Sequence, residues 1–292
     1  MHIRHTFLPP LALLAFIAAL CGIMASCGTT AGDNRLTVSV SIEPLRRIVE
    51  AVAGDKADVV TLMPQGASPE TYEPTPRQMM ELGSSRLLMR VGSLGFERTS
   101  LPKMAASNPS LDMVDLGTGL TMLQSDGHTH DGDDGSDPHL WMSAANQRTM
   151  AANACEALCR ADSANAGYYR QRMATFIQTT NQLDAELAAS LKAAQHRTFL
   201  IYHPALGYFA RDYGLRQLPV ELDGKEPSAA RMRELLNTCR AAGVTTVFVS
   251  KEHAGRAARR MASELKARLV EINPLDYDTP TQMRAIAKAL QE

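Results

Sequence analysis

The sequence predicts an α/β protein of two lobes, each with a mostly parallel sheet flanked by helices, joined by one long backbone helix. Three observations predict it. Short Val/Ile/Leu-rich runs alternate with helical patterns through residues 36–116 and again through 198–290, as in parallel sheets covered on both faces. Between the halves runs one helical pattern from about 164 to 194, on the order of 45 Å long at 1.5 Å per residue. That exceeds the packing needs of one small lobe and points to a spine shared by both. Finally, residues with ligand chemistry stand just past apolar runs, at the ends of strands where parallel α/β sheets bind their ligands.

The chain opens with a short basic segment, an apolar stretch beginning at Pro9 and Pro10, and the run Met24-Ala25-Ser26-Cys27. This reads as a secretory signal (residues 1–26) rather than a fold element. The last four residues follow the bacterial lipobox pattern, so cleavage before Cys27 and acylation of its thiol are expected. An acyl chain contributes roughly 0.8 kcal/mol per buried methylene, and stable anchoring takes more than one. Residues 27–35 are small and polar, a tether.

The first lobe is expected over 36–162. LTVSVSI (36–42) is a strand, and the following helix carries Leu45, Ile48, Val49 and Val52 on one face. ADVVTL (57–62) is the next strand. A Pro/Gly-rich loop then holds Glu70, and Thr75-Pro76 starts a helix, since Thr caps and Pro suits the first helical position. RLLMRV (86–91) and LDMVDL (111–116) are two more strands. A polar, glycine-rich loop leads to His139.

The connecting helix is placed at 163–195, with Tyr169, Met173, Phe176, Ile177, Leu183, Leu187 and Leu191 on its apolar side and Asp162, Ser163 and Asn165 as cap candidates. The second lobe, 196–292, repeats the alternation. TFLIY (198–202), QLPV (217–220), VTTVFVS (244–250) and ARLVEI (267–272) are strands; 227–243 and 279–291 are helices. Pro204 is expected to start the helix after His203.

Thirty Lys and Arg balance 31 Asp and Glu, with no basic block, which disfavours nucleic-acid binding. No second long apolar segment follows the signal. Cys155 and Cys159 share a helical face, and with Cys239 they are too sparse for a disulfide scaffold. They read as small buried apolar residues. No GxSxG elbow, P-loop, HExxH or GxGxxG occurs, and no general base stands beside the ligand residues.

Glu70, His139 and His203 sit in none of the periodic stripes, so they are poor candidates for core side chains. Each has a structural alternative: a helix-capping or core histidine for His203, a helix cap for His139, a solvated loop side chain for Glu70. Two imidazoles and a carboxylate suit zinc; manganese, a harder ion, favours more oxygen ligands. Asn273 follows ARLVEI as a fourth candidate. A neutral amide is a poor zinc ligand, leaving that position to Asn273, to Asp276 or to water. His128 and His130 lie among aspartates in a tract that cannot pack a core, a plain loop or an accessory metal collector.

The chain resembles the solute-binding proteins of zinc and manganese ABC transporters, the ZnuA/TroA-like group. The resemblance covers essentially the whole mature chain and is carried by VSIEPLRRIVEAVAG, MPQGASPETYEPTPRQM, DPHLWMS, YHPALGYFARDYGL, DGKEPSAARMRELL and VEINPLDYD. It implies two lobes with a metal between them, ligands at Glu70, His139 and His203, and an acidic fourth position that falls on Asn273. It also implies a monomeric, lipid-anchored protein of the cell envelope that delivers its ion to a membrane permease, and no catalysis. The zinc branch usually carries His where this chain has Glu70, whereas His203 and the His/Asp loop match that branch. The rival readings are a manganese-specific protein of the same class, a zinc-dependent hydrolase and a metal-stabilised adhesin.

Overall fold

Every one of the eight apolar runs forms a strand: β1 (Leu36–Val40), β2 (Ala57–Thr61), β3 (Leu87–Arg90), β4 (Asp112–Asp115), β5 (Thr198–Ile201), β6 (Arg216–Pro219), β7 (Thr246–Ser250) and β8 (Arg268–Ile272). The computed structural model describes residues 35–106, 108–124, 135–221, 227–250 and 256–292. The strands make two four-stranded sheets, ordered β2-β1-β3-β4 and β6-β5-β7-β8. All pairings are parallel. The two lobes thus share one topology. Leu36–Glu292 is one compact unit by its contacts.

Ten helices are seen among the described residues: α1 (Glu43–Ala53), α2 (Pro76–Leu82), α3 (Gly95–Thr99), α4 (Leu101–Ala106), α5 (Ala144–Ala161), α6 (Ala166–Lys192), α7 (Gly207–Tyr213), α8 (Ala229–Ala241), α9 (Arg256–Leu265) and α10 (Thr279–Gln291). The stripe Leu45, Ile48, Val49 and Val52 of α1 is fully buried. Thr75 caps α2 in a reciprocal capping box with Gln78. Helix α7 starts three residues later than Pro204 would place it. The intervening turn is fixed by the Gln217 side chain, whose Oε1 accepts from Leu206 N at 2.8 Å.

The spine is α6, preceded by a 3₁₀ turn at Ser163–Asn165. It packs against α1 and α5 from the first half and α7 and α10 from the second. Its buried side chains are Tyr169, Phe176, Thr180, Leu183, Leu187 and Leu191. Thr180 interrupts the apolar pattern but returns its hydroxyl to Phe176 O at 2.8 Å, so its burial leaves no polar group stranded. Asn165 caps the helix without a side-chain bond. Asp162 instead receives Asn165 Nδ2 and the Tyr169 hydroxyl, both at 2.7 Å.

In each sheet the strand order reverses beside the first strand, where open α/β sheets usually hold ligands. In the first lobe that crevice is filled from within. The fully buried Glu97 carboxylate accepts from Val91 N, Gly92 N and Leu94 N at 2.9, 2.7 and 3.2 Å. Ligand chemistry is left to the loops that follow other strands. Among the described residues no helix is long and apolar enough to cross a bilayer.

Candidate metal centre

Glu70 rides on the loop between β2 and α2. The loop is pinned where it leaves the strand: Leu62 O accepts from the Tyr72 hydroxyl at 3.0 Å and from Gln78 Nε2 at 2.9 Å. Two backbone turns, Ala67 N to Pro64 O and Thr71 N to Ser68 O, shape the rest. The Glu70 side chain remains 32% exposed.

His139 stands at the end of the long loop after β4, just before a 3₁₀ turn at Leu140–Met142. Its side chain makes no cap bond to that turn, which removes the helix-cap alternative. Asp137 holds it: one carboxylate oxygen, Oδ1, accepts from His139 N at 2.9 Å and contacts His139 Nδ1 at 2.8 Å. Asp137 is fixed in turn, since its carbonyl accepts the Tyr208 hydroxyl at 2.8 Å and its N–H donates to Leu123 O at 2.8 Å. Trp141, fully buried, donates Nε1–H to Pro274 O at 2.7 Å and so ties this turn to the loop after β8.

His203 lies two residues past β5. Parallel pairing carries the neighbouring chain alongside it: Val220 N donates to Ile201 O and Glu221 N to Tyr202 O. Glu221 therefore emerges beside His203, although sequence reasoning did not single it out. Its carboxylate is buried, 4% exposed, with Oε2 at 3.4 Å from His203 Nδ1. Glu70 Oε1 reaches the same nitrogen at 3.3 Å. Glu70, His203 and Glu221 each bring a donor atom within 4.8 Å of the others.

The other face of His203 meets His139. Their Nε2 atoms are 3.2 Å apart. Two nitrogens bound tetrahedrally to zinc at about 2.0–2.1 Å stand about 3.3–3.4 Å apart, so the spacing is that of two ligands to one ion. One imidazole cannot offer both lone pairs while neutral. A buried carboxylate beside Nδ1 favours the tautomer with Nδ1–H, leaving Nε2 as the donor. Asp137 does this for His139 and Glu221 for His203.

Burial alone would lower the His203 pKa, but Glu221, Glu70 and Asp137 outweigh it and hold it above its ordinary value. The surrounding carboxylates therefore favour a proton on His203.

Asn273 and Asp276 turn into their own loop. Asn273 Oδ1 accepts from Leu275 N at 3.1 Å. Asp276 Oδ1 accepts from Asp278 N at 2.8 Å, and its Oδ2 accepts from Gln282 Nε2 at 3.3 Å. These bonds organise the entry to α10. Cys27, His128 and His130 lie outside the described residues.

Comparison with known proteins gives a consistent answer. Residues 38–292 match the family described as zinc-uptake complex component A, periplasmic. A Treponema pallidum (strain Nichols) relative named for metal binding is 28% identical over 285 residues, covering 94% of this chain and 90% of the relative. The zinc-binding protein AdcA of Streptococcus pyogenes serotype M3 is 24% identical over 87% of this chain. The chain spans about half of AdcA, 53% of its length. A crystal structure of a ZnuA deletion mutant with zinc bound superposes with a TM-score of 0.81 at 31% identity, over 87% of this chain and 96% of that one.

Proposed function

Because this chain belongs to the family of periplasmic A components of zinc-uptake complexes, we propose that it is an extracytoplasmic solute-binding protein that captures zinc and hands it to an ABC-transporter permease. One observation carries the reading above the rest: two imidazole Nε2 atoms from different lobes face each other at 3.2 Å, each ring backed by a buried carboxylate. The ion is cargo, so the site must bind reversibly and needs no general base.

In this reading His139, His203 and Glu70 are the protein ligands. Asp137 and Glu221 fix the two rings. Water takes the fourth position, because the side chains of Asn273 and Asp276 are committed elsewhere. Glu70 swings in from the exposed side as the ion displaces the His203 proton. Two imidazoles favour zinc over manganese. The AdcA relatives and the zinc-bound ZnuA structure, named for the same metal, support that choice. The chain acts as a monomer without catalysis, tethered through acylated Cys27, with His128 and His130 as a weak outer collector.

Equilibrium titration of the metal-free protein with zinc and with manganese tests this directly. One tight equivalent of zinc that manganese does not displace is the expected result. Tight binding of manganese alone, or turnover of ester or peptide substrates abolished by chelation, would replace the reading. Cys27→Ala should move the protein from the membrane to the soluble fraction of the envelope.

A further inference from the structure

Helix α5 carries a second group of ligand atoms that the interlobe site does not use. Cys155 and Cys159 lie one turn apart with their Sγ atoms 3.9 Å from each other. Cys155 is buried and Cys159 half-buried. Cys159 Sγ also lies 3.7 Å from Ala166 O, at the corner where α5 gives way to α6.

A disulfide does not fit this pair. Residues four apart on a helix hold their Cβ atoms about 5–6 Å apart, whereas a bridge needs about 3.5–4.5 Å. Unwinding the turn is opposed by Ala151, Ala154, Ala157 and Leu158, all fully buried on the same helix. Burial and the neighbouring thiol push the Cys155 thiol up to about 11, so without a metal that thiol stays protonated and a poor target for oxidants.

The sulfur spacing instead matches a shared ion. At a metal–sulfur distance of about 2.3 Å, two thiolates stand about 3.8 Å apart in a tetrahedral complex and about 4.0 Å in a trigonal one. We propose that Cys155 and Cys159 form a second metal site, selective for a soft monovalent cation such as copper(I). Thiolates select such ions, while the imidazole and carboxylate donors of the interlobe site suit harder ones. Binding releases both thiol protons: one cation, two R–SH and one water give a three-coordinate dithiolate complex of charge −1 and two H⁺, the water completing the trigonal shell that the sulfur spacing fits. Arg170, whose charge acts on Cys155, offsets that charge. Cys155 lies eleven residues along α5 from Ala144, roughly 17 Å at 1.5 Å per residue. The two sites therefore load independently.

The test is anaerobic transfer of copper(I) from a chromophoric chelator to the mature protein, followed by the thiolate-to-copper charge-transfer band in the ultraviolet. Wild type, Cys239→Ala and the His139→Ala/His203→Ala double variant should each take one equivalent and show the band. Cys155→Ala and Cys159→Ser should lose both, while keeping wild-type circular dichroism and the zinc-induced rise in melting temperature. Cys159 is half-buried, so Cys159→Ser guards against a folding artefact. A band that survives in both cysteine variants, no transfer to wild type, or recovery of the pair as a disulfide from protein isolated without reductant would overturn the proposal.

Discussion

His139 and His203, 64 positions apart, place their Nε2 atoms 3.2 Å from each other, and each presents that nitrogen because a buried carboxylate sits by its Nδ1. The pairing joins the end of the loop after β4 in one lobe to the end of β5 in the other. A metal bound there adds to a seam that the spine, a shared apolar core and bonds such as Trp141 Nε1 to Pro274 O and the Tyr277 hydroxyl to Glu50 already hold.

Zinc should therefore stabilise the fold. A ligand specific to the folded state at a hundredfold excess over Kd adds about 2.7 kcal/mol. At this chain length that raises the melting temperature by about 5–10 °C. His139→Ala or His203→Ala should abolish the rise, and Glu70→Gln should reduce it. Thermal denaturation with and without zinc decides. A full zinc shift in both histidine variants would place the site elsewhere.

The carboxylates behind the rings have a separable effect. Asp137→Asn and Glu221→Gln keep every proposed ligand but loosen the ring orientation, and losses of about 10–100-fold in metal affinity are expected for such partners. Asn273→Ala should leave affinity unchanged and cost only the turn bond to Leu275. Competition titration against a zinc chelator ranks the three. Asn273→Ala weaker than Glu221→Gln would return the fourth position to Asn273.

Most of the fold was legible because each strand is a short apolar-rich run between helix or turn signals, even where an edge strand such as β2 or β8 is largely exposed. Thr75, Ser228 and Asp278 each cap a helix with a side-chain bond. The short helices α3 and α4 escaped because five or six residues show no period, whereas α7 was expected and only its start was misplaced. His139 and His203 were visible as isolated imidazoles past apolar runs. Glu221 was not, because locally it is one acid at the start of a polar stretch. Only the β5–β6 register, Ile201 opposite Pro219, sets it beside His203. Extending that register two residues past the strands would have found it. Asn273 carried a local signal against ligation, since Asn-Pro favours a turn, and its side chain makes one.

Protonation of His203 gives opposite pH dependences to the two forms. Its pKa in the folded chain is raised, so the stability it contributes is fully present below its unfolded pKa of about 6.5. That stability is lost as pH rises through the folded value. Zinc needs the deprotonated ring, and its binding strengthens over the same interval. From pH 6 to 8 the metal-free protein should lose stability relative to His203→Gln, while the zinc-induced shift grows. The check is melting temperature across that range for both proteins, with and without zinc. Parallel slopes for the metal-free pair would show that His203 carries no proton in the fold.

Gly207, the first residue of α7, offers a way to disturb the metal centre without touching a ligand. A Cβ at this position would stand 2.2 Å from Asp137 Oδ2, closer than atoms can approach. In Gly207→Ala the Asp137 carboxylate must turn, and its other oxygen then leaves His139 N and Nδ1, which it now contacts at 2.9 and 2.8 Å. Zinc affinity should fall as far as in Asp137→Asn. The two changes act through one contact, so the double variant should be no weaker than either alone, the non-additivity expected of coupled neighbours. Additive losses, or unchanged affinity in Gly207→Ala with a lowered melting temperature, would mean that the glycine serves packing alone and that His139 keeps its orientation without Asp137.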